Sequence, residues 1–223
     1  MSIRSISTIL LLATLATGST QAQQKENVSL KFATLSLGSS IPDCSYSDTT
    51  GVHTLFITNA SHTELESYNG PAQLTFYKGK NTSENINTRT PIASVNLSGM
   101  HGKWLFVFSP TGNGRYQVFP VPYDRANSAP GSWLVYNLTQ SPLVFKAGSQ
   151  TPISIQQQSQ QVIRSNQTDR KGEQVQMAVP DNGKWKRVYS SIWQRNPDAL
   201  TLVFLFPQGQ RGGVSVKRVN LVL

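Results

Sequence analysis

The side chains able to do chemistry are few and scattered. The histidines are His53, His62 and His101, and the one cysteine is Cys44. Zinc sites draw His, Cys and carboxylates at recurring spacings. The chain has no His-Glu-x-x-His, no cysteine pair and no two histidines on one short stretch, so a metal site would need ligands from distant strands. A Cys–His nucleophile would require Cys44 beside one of the three histidines, and the adjacent Asp43 works against a low thiol pKa. Read locally, Cys44 is a free thiol in or near a loop, between Pro42-Asp43 and Ser45. Glycoside hydrolysis needs two acids facing one cleft. The 11 acids are dispersed, and the pair Glu64 and Glu66 lies in a polar stretch that reads as solvated loop. No Gly-x-Ser-x-Gly elbow or Walker loop occurs. Gly112-Asn113-Gly114 and Gly209 to Gly213 fall between apolar runs rather than ahead of a helix, so they read as hairpin turns and not as phosphate cradles. The expectation is a non-catalytic protein with no cofactor and no metal. A hydrolase with a site built from distant strands is the minor alternative.

Charge and rings remain. The chain carries 20 basic and 11 acidic residues, a net charge of +9 and a pI near 9.9; such a surface attracts polyanions. Lys184, Trp185, Lys186, Arg187, Tyr189 and Trp193 interleave bases with rings. On a regular strand Trp185, Arg187, Tyr189 and Trp193 share one face, opposite Lys184, Lys186 and Val188. Exposed, that row can stack on sugar rings and hold an anionic group. Buried, it is the core face of an ordinary half-buried strand with solvated lysines. Arg164, Arg170, Lys171, Arg211, Lys217 and Arg218 add to the positive charge of the second half. No nucleic-acid recognition motif is present. The partner classes that fit are an anionic polymer, a glycan or an envelope protein.

The elements that must position these residues are strands. The chain has 223 residues, of which 38% are hydrophobic and 14% charged. Ser, Thr, Asn and Gln supply 77 positions. That composition excludes a coiled coil and a charge-rich disordered chain. The dominant apolar period is two: Val28 to Phe32, Leu35 to Leu37 on a shifted register that suggests a bulge near Ala33-Thr34, Thr54 to Ile57, Gln73 to Tyr77, Ile92 to Leu97, Trp104 to Phe108, Tyr116 to Val121, Trp133 to Tyr136, Leu143 to Phe145, Ile153 to Ile155, Val175 to Met177, Val188 to Trp193, Leu200 to Phe206 and Val214 to Leu223. Turn signals separate them, among them Tyr68-Asn69-Gly70-Pro71 and Asp181-Asn182-Gly183. Gln156 to Arg164 has no apolar stripe and reads as extended edge or loop. The fold class is all-β, an antiparallel β-sandwich in two immunoglobulin-like halves packed together. Trp104 to Val118 and Leu202 to Val216 look like one hairpin used twice, whereas Gly102-Lys103-Trp104 and Gly183-Lys184-Trp185 repeat at a shorter offset. The strands Trp104–Phe108 and Leu202–Phe206 are apolar on both faces and are expected between the halves.

Residues 1–22 read as a secretory leader: Arg4, then an apolar run through Leu15, then Thr20-Gln21-Ala22 as a cleavage site. The domain expectation is 1–22 leader, 23–121 first half, 122–131 linker and 132–223 second half. The mature chain would be periplasmic or secreted, with no transmembrane segment. Asn27, Asn59, Asn81, Asn96, Asn137 and Asn166 open glycosylation sequons. The layout of leader, about 200 residues of basic chain and two sandwiches, with Asn137-Leu-Thr-Gln-Ser-Pro-Leu-Val144, resembles the periplasmic pilus-assembly chaperones, although their basic, proline-containing first-strand signature has no match in Val28 to Leu37. Gly131 to Thr139, Val188 to Trp193 and Leu202 to Phe206 look like a group of uncharacterised secreted β-rich bacterial proteins. The first resemblance implies an assembly role, the second only location and fold.

Overall fold

A computed structural model describes residues 26–79, 89–123, 130–164, 172–208 and 213–222. The expected leader, the sequons at Asn81 and Asn166, Arg170, Lys171, Arg211 and most of the expected linker lie outside them. The first eight strands are β1 (Asn27–Ser36), β2 (Ile41–Asp48), β3 (Gly51–Ile57), β4 (Glu66–Pro71), β5 (Gln73–Lys78), β6 (Pro91–Asn96), β7 (Lys103–Gly112) and β8 (Arg115–Pro122). The second eight are β9 (Ser132–Asn137), β10 (Leu143–Ala147), β11 (Ile153–Ile155), β12 (Gln160–Arg164), β13 (Gly172–Asp181), β14 (Lys184–Gln194), β15 (Ala199–Gln208) and β16 (Gly213–Val222). No helix occurs among the described residues. The fold is all-β.

Four sheets of four strands form. Sheet I is β3-β2-β5-β6, sheet II is β4-β1-β7-β8, sheet III is β12-β9-β15-β16 and sheet IV is β11-β10-β13-β14. Adding eight to every strand number turns sheet I into sheet IV and sheet II into sheet III. The chain thus builds one topology twice. Pairings are antiparallel except β1 with β7 and β9 with β15, the same parallel contact in each half. The hairpin likeness read from the sequence joins counterparts, β7–β8 and β15–β16. The Gly-Lys-Trp likeness does not: it starts β7 in one half and β14, the counterpart of β6, in the other.

The layers are joined by three apolar clusters. Phe32, Phe106 and Phe108 of sheet II meet Tyr46, Ile57 and Phe76 of sheet I. Trp133, Val203 and Leu205 of sheet III meet Phe145, Met177 and Trp193 of sheet IV. Between the two sandwiches Ala33, Leu35, Leu105 and Val107 of sheet II meet Leu134, Tyr136, Leu202 and Phe204 of sheet III. Strands β7 and β15 are therefore covered on both sides, which is what their unbroken apolar runs require.

Three local expectations change. Strand β1 has no bulge at Ala33-Thr34: its register runs unbroken against β4 and β7. The apolar parity switches because Val28, Leu30 and Phe32 face one cluster while Ala33, Leu35 and Leu37 face another. Tyr68-Asn69-Gly70-Pro71 is not a turn but most of β4, paired with β1; Tyr68 is buried and donates its hydroxyl to the Pro71 carbonyl at 2.7 Å. Cys44 is not in a loop. It lies on β2, wholly buried in the first core, and burial pushes its thiol up to about 12, so it is an inert thiol at neutral pH.

Candidate functional site

The basic, aromatic strand Lys184 to Trp193 is β14, the free edge of sheet IV. Its turn is Asn182-Gly183, both at positive φ (49° and 77°), the geometry of a two-residue hairpin. The expected single-face row does not form. Met177 pairs with Tyr189, but Ala178 pairs with Arg187, so Val188 is an extra residue and the strand bulges there. A bulge reverses the facing of everything beyond it. Tyr189 and Trp193 share the core face with Met177, while Trp185 and Arg187 share the outer face with Pro180 and Ala178.

The row is split by function as well as by face. Trp193 is fully buried, edge-on to Trp133 at 5.1 Å and Phe145 at 5.6 Å. Its indole N–H donates to the Tyr189 hydroxyl at 2.9 Å. The Arg218 guanidinium sits 5.3 Å from its ring centroid, a cation–π distance. These are packing rings. Trp185 is 56% exposed and is the one ring of the row free to stack on a ligand. Lys184, Lys186 and Arg187 are exposed around it.

Past Trp193 the strand runs into a cleft of about 960 Å³. Gln194, Arg195, Asn196 and Asp198 form one wall; Thr201, Lys217, Arg218 and Asn220 form the other. Three cations and one carboxylate are among its lining residues. Arg195 is fixed by donating Nε–H to the Gly131 carbonyl at 2.9 Å, Arg218 by the Trp193 ring, and Asn220 by the Thr201 hydroxyl at 2.9 Å. Donors held in advance lose less entropy on meeting an anion. Lys217 and Arg218 were noted in the sequence only as part of a basic half, and Arg195 and Asn220 went unnoticed. The β15–β16 register brings Arg218 opposite Val203, and nothing in the local spacing shows that.

A second cleft, of about 650 Å³, lies on the first half between β5, β6 and the β7–β8 hairpin, and includes Tyr77, Arg89, Arg115 and Tyr116. A third, of about 570 Å³, separates β8 from the second half and is lined by Phe119, Val121, Tyr136 and Leu138 with Pro120 and Pro122.

An acid–histidine pair forms away from the basic clefts. Asp48 and His53 do pair, at 2.9 Å, but in the β2–β3 turn. The same Asp48 oxygen accepts from the Thr50 amide and hydroxyl, each at 2.7 Å, and from the Gly51 amide at 3.2 Å. Burial raises the Asp48 carboxyl, but the bonds from Thr50 and His53 and the His53 charge outweigh it and hold it at about 2. Neither residue lines either basic cleft. Among the described residues no three His, Cys, Asp or Glu side chains gather as metal ligands would. No helix there is long and apolar enough to cross a membrane. No protein-family model matches the chain, and no curated protein matches it.

Proposed function

We propose that this is a non-catalytic, extracytoplasmic β-sandwich protein that binds anionic envelope or extracellular polymers, glycans foremost. The observation that carries the reading is positive charge at both ends of β14. Lys184, Lys186 and Arg187 lie exposed at one end, and the cleft of Arg195, Lys217 and Arg218 opens at the other. An 11-residue strand spans about 35 Å, the length of several sugar residues rather than of one small ligand. Within this reading Lys184, Trp185, Lys186 and Arg187 contact the polymer, and Tyr189 and Trp193 hold Arg218 in place. The leader-like pattern of residues 1–22 supports the location, and the pI near 9.9 supports the charge of the ligand.

The test is a binding screen of the purified protein against glycans, lipopolysaccharides and other envelope polymers at low and at physiological salt. Expected is saturable binding that weakens with salt but survives physiological ionic strength, and that falls about tenfold in a Lys217→Gln, Arg195→Gln double variant. Binding to every polyanion alike at low salt, and to none at physiological salt, would reduce the charge to a solubility property. The alternative of an assembly chaperone that lends an edge strand to partners has less support. It calls for an open cleft and an apolar free edge, and the space between the sandwiches is mostly filled by the Leu35, Leu105, Leu202 and Phe204 cluster.

A further inference from the structure

The cleft on the first half has features that the fold alone does not demand. Two strand irregularities border it. Phe76 pairs with Ala93 but Tyr77 with Pro91, so Ile92 is an extra residue in β6. Pro110 pairs with Tyr116 but Gly112 with Arg115, so Thr111 is an extra residue in β7. Bulges re-aim side chains next to sites, and here both do. The first turns Pro91 onto the outer face beside Tyr77, the face on which Arg89 donates to the Ser45 hydroxyl at 2.9 Å. The second puts Thr111 into the cleft wall. Tyr77 is half-buried with an open side, and Tyr116 is braced edge-on by Phe108 at 6.2 Å. Arg115 is exposed at the cleft mouth, and among the described residues no carboxylate lines the cleft.

We propose that this cleft is a second, separate binding site, and that it takes an acidic saccharide. The tyrosine rings offer flat apolar surface to a sugar ring, Arg115 offers a planar fork to its carboxylate, and Thr75, Ser94 and Thr111 reach its hydroxyls. The other half repeats the arrangement at the counterpart place. Met177 and Ala178 stand for Phe76 and Tyr77, Val188 is the extra residue that Ile92 is, and Arg187 and Trp185 come out on the same outer face. Each half therefore presents a ring and a guanidinium beside the same bulge. A chain with two such sites binds a long acidic polymer more tightly than a short one by an effective-concentration gain. This deepens the proposed function and rests on it for the charge of the ligand.

The test is isothermal calorimetry with tetragalacturonate, and with the neutral galactose tetramer, at physiological salt. Expected is binding of the acidic probe at least tenfold tighter than of the neutral one, weakened about tenfold by Arg115→Gln and by Tyr77→Ala. Arg115 is on the surface, so its variant keeps the wild-type melting curve and separates binding from folding. Arg115→Lys, which keeps the charge and loses the fork, is expected in between. Unchanged affinity in Arg115→Gln and Tyr77→Ala, or equal affinity for the neutral tetramer, would overturn this site and leave the polymer reading standing. Failure of the wild type to bind this probe while it binds other anionic glycans would do the same. Failure to bind any anionic glycan would overturn both.

Discussion

Two single residues hold more than their size suggests. Asn137 is fully buried, and every hydrogen-bonding position of its amide is used. Its Nδ2 donates to the carbonyls of Ser141 (2.9 Å), Ile155 (3.2 Å) and Gln156 (3.0 Å), and its Oδ1 accepts from the Thr139 amide (3.0 Å) and hydroxyl (2.7 Å). It ties the end of β9 to the β9–β10 turn and to the end of β11. In the first half the matching place, just before the Leu37 amide bonds to Phe108 as Leu138 does to Leu205, is Ser36, whose hydroxyl donates to the Ser39 carbonyl at 2.7 Å. Asn137→Ala removes all of the Asn137 side-chain bonds and strips the Nδ2 donor from the buried Ile155 carbonyl, and a loss of about 2–4 kcal/mol is expected by urea denaturation. The same burial removes Asn137 from the accessible sequons of the folded protein. Asp48 gives the second residue-scale prediction. Its folded pKa of about 2 lies below the ordinary 3.8, so its contribution is complete above about pH 4 and is lost as pH falls through about 2. The stability advantage of wild type over Asp48→Asn is expected to narrow across that interval and to stay flat at neutral pH, as measured by urea midpoints at each pH.

At the scale of the element, free edges decide what the molecule can pair with. Each of the four sheets leaves two edges, and an open edge invites another chain. Strand β8 carries Pro120 and Pro122 at two positions of one parity, paired with Phe106 and Trp104. Proline is tolerated in a strand where its missing N–H would point away from the ladder, so the outer edge of β8 offers no donor at either place. Strand β11 has three residues. Strand β14 is long, and its bulge at Val188 and its exposed lysines guard it. Replacing both β8 prolines by valine restores two donors next to the apolar groove of Phe119 and Val121. Concentration-dependent dimers or larger species are expected in analytical ultracentrifugation; a strictly monomeric variant would show that the prolines do not guard this edge. Strands are also where sequence and structure part company. The apolar runs of β7 and β15 announce burial on both faces because each residue there is apolar whatever its facing. The β14 row could not be resolved the same way. Its facing depends on one extra residue, and only the pairing of Ala178 with Arg187 reveals it. Tyr68 to Pro71 carries turn chemistry and still forms a strand, because its ladder with Asn27 to Leu30 outweighs local preference. Both basic clefts draw on separate strands brought together by register, so spacing along the chain hides them.

At the scale of the molecule the two halves are one cooperative object if the middle cluster counts as core. Phe204 stacks on Tyr136 with centroids 5.3 Å apart and planes 19° apart, among Leu35, Leu105 and Val107 of the other half. Phe204→Ala opens a cavity there, and a cost of about 3–5 kcal/mol is expected, spread over both halves as one lowered transition followed by fluorescence and circular dichroism together. Two separated transitions would show that the halves unfold independently. Residues 23–123 produced alone would expose the Ala33, Leu35, Leu105 and Val107 face, and soluble oligomers or aggregates are expected by light scattering.

The parallel contact repeated in each half sets a schedule for folding. Strand β1 cannot complete sheet II until β7 exists, since Lys31 pairs with Lys103 and Ser36 with Phe108; β9 waits in the same way for β15, with Trp133 beside Thr201. Almost the whole of each half must therefore be synthesised before its first strand is paired on both sides. Loop closure on that scale is settled before any contact rewards it, and all-β domains of this kind fold in about milliseconds to seconds rather than microseconds. Until then Phe32, Leu35 and their neighbours stay uncovered, and a chain exported as proposed above would travel in that state, unfolded and threadable, with its first strand still waiting for its seventh.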